Sequence, residues 1–123
     1  LQVNARWPGA HFAGRGVEYI AVAGRSVIGD SAAPRGAPPK YAHAAYFEVS
    51  GAGDGVAGDG VVPLASALLA GARHVVVDGA RHSVSRLGSF EEAPPEGAGA
   101  WYGSEEVVDL WLGELAAALR GEQ

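Results

Sequence analysis

Three observations in this sequence predict an α/β architecture. Two short apolar runs rich in β-branched residues, 17–23 (VEYIAVA) and 73–78 (RHVVVD), are each closed by a glycine, as strands of a covered parallel sheet are. Over 104–121, apolar residues recur at three- and four-residue steps, the period of a helix with one buried face. A helix-compatible segment at 64–69 falls between the two strand candidates, so the order reads strand, helix, strand, helix.

The first run lies between Gly16 and Gly24 and is nearly uninterrupted, which predicts a strand covered on both faces. Residues 24–40 are rich in Gly, Ala and Pro and end on Pro38-Pro39, a composition that favours loop, with 29–43 as an insertion. Residues 41–49 read as a brief edge strand before a glycine-rich turn segment at 51–60. Pro63 suits a first helical position and Gly71 a helix stop, which brackets the helix at 64–69. Three consecutive valines then make RHVVVD a second buried strand that ends at Gly79. Residues 86–99, with Pro94-Pro95 and Glu91, Glu92 and Glu96, read as a solvated loop.

The last helix has the clearest signals. Ser104 is a good N-cap, Glu105, Glu106 and Asp109 sit where the helix dipole favours negative charge, and Arg120 with Gly121 closes the far end. Val107, Val108, Trp111, Leu112, Leu115, Ala118 and Leu119 form its apolar stripe.

A chain of 123 residues, 48% of them hydrophobic, is long enough for one domain over 1–123 and apolar enough for a core. Nine basic and 14 acidic residues leave a net charge of −5, with no Lys/Arg cluster, which makes nucleic acid and anionic membrane surfaces poor partners. The absence of cysteine excludes disulfides, thiolate nucleophiles and sulfur-ligated metals from these residues. The longest apolar stretch, 61–72, is broken by Pro63 and Ser66 and falls short of the ~20 residues of a spanning helix. A start at Leu1, with no methionine anywhere, reads as a piece of a longer protein.

The strongest chemical signal is Gly58-Asp59-Gly60-Val61-Val62-Pro63, followed after the short helix and second strand by Asp78-Gly79-Ala80-Arg81-His82-Ser83. A carboxylate within hydrogen-bond reach of an imidazole fixes its tautomer and stabilises its cation. Asp59 stands before the crossover helix and His82 just after the next strand, so both can reach one edge of a parallel sheet. Acid before histidine is also the chain order of serine hydrolases built on α/β sheets. By itself, Asp between glycines is an ordinary turn residue, and only the pairing lifts His82 above a surface histidine.

The segment 58–83 resembles the acid-to-histidine region of lipase-like α/β-hydrolases, in which an Asp-x-Val-Val-Pro turn bears the triad acid. Together with Trp7-Pro8-Gly9-Ala10, residues 19–25, Ser66-Ala67 and Trp101-Tyr102-Gly103-Ser104, it resembles a plant and green-algal α/β-hydrolase family grouped with the inositol deacylases of glycosylphosphatidylinositol anchors. The likeness covers most of the chain outside 31–43. It implies the C-terminal part of an α/β-hydrolase fold, with Asp59 as triad acid and His82 as triad base. The activity it implies is hydrolysis of an ester or lipid substrate without a cofactor, in a plastid or endomembrane setting. Acyl transfer by the same triad and a non-catalytic interaction module are the alternatives. Serine and oxyanion hole are expected upstream. The Ala/Pro-rich insertion and the doubled Gly-Asp-Gly-Val turn depart from the family pattern.

That doubling makes Asp54 a competitor for the acid, but it lacks the Val-Val-Pro that starts the next helix. Ser26, in Gly24-Arg25-Ser26-Val27-Ile28, imitates a nucleophile turn after a strand but has Ile28 where the turn needs glycine. His11, His43 and His74 have no acid at a useful spacing and read as structural. The turn segment 51–60 has neither the lysine of a phosphate loop nor the alternating acids of a calcium loop. Trp101, Tyr102 and Trp111 read as packing residues, with Trp101 the candidate to line an acyl pocket.

These readings predict that the chain alone does not turn over ester substrates. Hydrolysis of a chromogenic short-chain ester that Ser26→Ala abolishes would show that Ser26 is a nucleophile after all.

Overall fold

Two apolar segments pair as parallel strands, the first running through Gly24 to Arg25 and not ending at that glycine. The computed structural model describes residues 2–83 and 99–121, so the loop expected at 86–99 lies outside the described residues except for Gly99. The elements in order are α1 (Gln2–Arg6), β1 (Ile20–Arg25), β2 (Val27–Ile28), α2 (Pro38–Ser50), β3 (Ala57–Gly58), α3 (Leu64–Ala67), β4 (Arg73–Asp78) and α4 (Glu105–Arg120). The protein is thus mixed α/β with a small parallel sheet. No helix among the described residues is long and apolar enough to cross a membrane.

β1 and β4 pair in parallel from Ile20↔Arg73 to Arg25↔Asp78, so their C-terminal ends share one edge. β2 and β3 form a separate antiparallel ladder, Val27↔Gly58 and Ile28↔Ala57, which brings the turn after β3 back to the end of β1. The Ser26 amide donates to the Gly58 carbonyl at 2.8 Å and ties the two ladders together. Gly24 is required at this junction: a Cβ there would run into the Ala80 carbonyl and crowd Asp59.

Several elements differ from the sequence expectation. Residues 41–49, expected as an edge strand, belong to α2. Pro38 and Pro39 occupy its first turn, where their missing amides cost nothing, so they open the helix and do not extend the loop. Ala42 and Tyr46, four residues apart, form the buried face of α2, and Gly51 ends it in the left-handed conformation at φ 75°. The insertion expected at 29–43 therefore includes the start of a packed helix. β1 starts at Ile20, with Val17 exposed in a bridge to Ala13.

In β4, Val75 and Val77 point into the core while Val76 is 39% exposed, so this strand is covered on one face. α3 is shorter than expected: Pro63 is its N-cap, and Leu68 leaves the helix in extended geometry before Gly71 is reached. At α4 the Ser104 hydroxyl bonds Trp101 and makes no cap bond to the helix, where the Val107 and Val108 amides use the Ser104 carbonyl. Only Val107 of the expected stripe is fully buried, with Trp111 packed beside it; Leu112, Leu115 and Leu119 are exposed.

The core is small. Val75, Val77, Ala80 and Val107 form it, with Ile20, Val22, Tyr102 and Trp111 packed against its rim. Tyr46, at 0% exposure, secures the other side. Its hydroxyl donates to the Val27 carbonyl at 3.1 Å and accepts the Gly60 amide at 2.8 Å, bolting α2 to β2 and to the turn after β3.

Tyr46→Phe leaves those two backbone groups short of a partner and is expected to cost about 1–3 kcal/mol in urea unfolding. Gly58→Ala is expected to cost more, because its Cβ would meet the Val62 carbonyl and the Tyr46 ring.

Candidate active site

The turn that follows β3 binds its own aspartate. Asp59 Oδ1 accepts the amides of Val61 at 2.9 Å and Val62 at 2.7 Å, an Asx-type turn that fixes the carboxylate before α3 begins. The other oxygen, Oδ2, faces His82 Nδ1 at 3.0 Å and the Tyr102 hydroxyl at 2.9 Å. Asp59 is 4% exposed, so these four donors take the place of its water shell.

His82 reaches the carboxylate because β4 runs beside β1 and the chain turns immediately beyond it. The left-handed Gly79 at φ 79° ends the strand, and the His82 amide donates to the Asp59 carbonyl at 3.0 Å. Main chain and side chain of His82 therefore both hold to the same residue. A carboxylate only accepts, so the proton on Nδ1 belongs to the histidine, and in the neutral ring this tautomer makes Nε2 the acceptor nitrogen. The side chain of His82 is 37% exposed, enough for a reactant to approach.

Tyr102 completes the network from the segment before α4. Its hydroxyl accepts the Gly24 amide at 2.7 Å while donating to Asp59, and its ring meets that of His82 edge-on at a centroid distance of 6.3 Å. Pairing of Arg81 with Trp101, through the Arg81 amide and the Ala100 carbonyl at 2.9 Å, carries Tyr102 to this place. Burial, with the neighbouring Asp59 carboxylate adding to it, pushes the Tyr102 phenol up to about 12, against the opposing effect of the Gly24 amide.

The structure thus brings Asp59 and His82 together and keeps Asp54 away from them. Asp54 is exposed and bound to Ser31, through the amide at 2.6 Å and the hydroxyl at 3.0 Å, which hold its carboxyl below the usual carboxylate range. His43 Nε2 lies 3.5 Å from Asp54, so His43 does have an acid beside it, contrary to expectation. Helix α2 makes the difference, because it carries His43 back over the turn that holds Asp54. His74 bonds the Leu69 carbonyl at 2.7 Å and His11 rests edge-on against Phe12, both outside the network.

Ser26 Oγ is buried and has no hydrogen-bond partner, an arrangement that neither presents it to a reactant nor activates it. The hydroxyls of Ser31, Ser50 and Ser104 are committed to Asp54, to backbone carbonyls of Tyr46 and Ala52, and to Trp101. Among the described residues no group of three acidic or histidine side chains is placed to hold a metal ion. Beside the network, Val22, Tyr102 and Trp111 line an open apolar trough of about 310 Å³. Trp111, and not Trp101, supplies its indole wall.

Tyr102 and Tyr46 are the site residues that the sequence hides. Tyr102, beside Trp101, reads as packing and Tyr46, beside Phe47, carries no motif, and neither periodicity nor spacing indicates a polar partner for them. No protein-family model matches the chain, and neither does any curated protein or any solved structure.

Tyr102 provides a test of the network in solution. Its folded value of about 12 lies above the ordinary 10.0, so its contribution to stability is complete below about pH 10 and is lost as pH rises through about 12. Near-UV phenolate absorbance is expected to show one tyrosine titrating last, together with loss of thermal stability over that window. Tyr102→Phe is expected to remove the late component.

Proposed function

We propose that this chain supplies the acid and the base of a serine-dependent carboxylic ester hydrolase of the α/β-hydrolase type. The observation that carries the proposal is the 3.0 Å contact between His82 Nδ1 and the buried Asp59 carboxylate, made where two parallel strands end together. In this reading the nucleophilic serine and the oxyanion-hole amides come from sequence upstream of these residues. The serine attacks the acyl carbonyl while His82 Nε2 takes its proton, and the protonated ring then returns that proton to the leaving alcohol. Water repeats the sequence on the acyl-enzyme.

Asp59 stays a carboxylate throughout and stabilises the imidazolium through Nδ1–H. General base catalysis of this kind contributes on the order of 10²–10⁴ in rate. The apolar trough against Tyr102 supports an acyl group as the substrate part nearest the dyad, and so an ester of apolar character.

An active-site organophosphorus probe tests the assignment in a protein that joins this chain to the proposed upstream serine. Labelling of its serine is expected to vanish in His82→Ala and to slow by roughly 10³–10⁴ in Asp59→Asn, where the amide favours the wrong tautomer. Full-rate labelling in both variants would reject the dyad.

A further inference from the structure

The oxygen of Asp59 that holds His82 is shared. Tyr102 donates its hydroxyl proton to Oδ2 at 2.9 Å, and His82 Nδ1 lies 3.0 Å from the same atom. The direction of the tyrosine bond follows from its partners. The Gly24 amide can only donate to the phenol oxygen, at 2.7 Å, and the carboxylate can only accept. Oδ1 is already taken by the Val61 and Val62 amides, so Oδ2 is the atom through which Asp59 acts on the imidazole.

Two donors on one carboxylate oxygen compete for its electron density. Each hydrogen bond to a carboxylate stabilises its charged form and lowers its pull on the other proton. Without the tyrosine hydroxyl, the whole of Oδ2 would face His82, while the Val61 and Val62 amides would still hold Oδ1.

We propose that Tyr102 is a positioning residue that acts on His82 through Asp59, aiming Oδ2 at the imidazole and limiting how strongly that oxygen holds the Nδ1 proton. The catalytic meaning rests on reading Asp59 and His82 as acid and base. The coupling itself is a property of this chain and is measurable without turnover. It gives a polar role to an aromatic residue that otherwise looks like packing beside Val107 and Trp111.

Two nearly isosteric changes at position 102 separate this role from a structural one. Tyr102→Phe keeps the ring and removes the donor, whereas a ring-fluorinated tyrosine, a more acidic phenol, strengthens it. Proton NMR of the chain is expected to show the His82 Nδ1–H resonance moving downfield in Tyr102→Phe and upfield with fluorotyrosine. An unchanged resonance in both, or movement in the same direction, overturns the inference.

If Tyr102→Phe fails to fold, the fluorinated chain, which keeps both hydrogen bonds, decides alone: an upfield shift supports the coupling and no shift refutes it. Opposed NMR shifts in the chain, without serine labelling in the joined protein, would retain the Tyr102–Asp59–His82 coupling while rejecting the hydrolase reading.

Discussion

A carboxylate at 4% exposure, as on Asp59, has lost its water shell, and desolvation of such a group costs several kcal/mol unless donors replace that water. Four donors do so, and they come from three places: the turn itself, the residue after β4 that bears the imidazole, and the segment leading into α4. Each region is held by this demand. The turn closes because Val61 and Val62 point their amides at Oδ1, His82 stays at the strand end because both its ring and its amide meet Asp59, and Tyr102 is drawn across to Gly24.

Glycine makes this convergence possible. Gly24 has no side chain where β1 passes the Ala80 carbonyl and Asp59, and Gly58 has none where β3 passes Val62 and Tyr46. Behind them Tyr46 connects α2 to the turn, so the helix that replaces the expected edge strand also supports the acid from below. The core over which this is built is thin, and several large side chains of α4 and the outer face of β4 remain in solvent. Much of the order near the dyad accordingly comes from hydrogen bonds between backbone and buried side chains, and less from apolar burial.

Local signals and long-range ones were not equally legible. RHVVVD marked β4 to the residue because β-branching and a terminal glycine act within the segment itself. The start of α2 reads as loop because proline and alanine are consistent with either a loop or a helix, and 41–49 reads as an edge strand; the choice fell to whether Ala42 and Tyr46 had something to pack against. The choice between Asp59 and Asp54 was open to sequence reasoning through Val-Val-Pro, which starts the following helix in the frame that aims the amides at the carboxylate. The Asp54–His43 proximity was not, since it depends on α2 folding back over the turn.

The sequence by itself determined the α/β class, the span of β4, the ends of α4 and the candidate pair Asp59 and His82, because each rests on propensity, helix-end or turn chemistry acting over a few residues. Only the tertiary structure decided which groups surround that pair. Tyr102 meets Asp59 across 43 positions and the Gly24 amide across 78, and no local pattern encodes contacts at such separations. They exist because a buried carboxylate must be satisfied, and the parallel pairing of β1 with β4 brings the donors within reach.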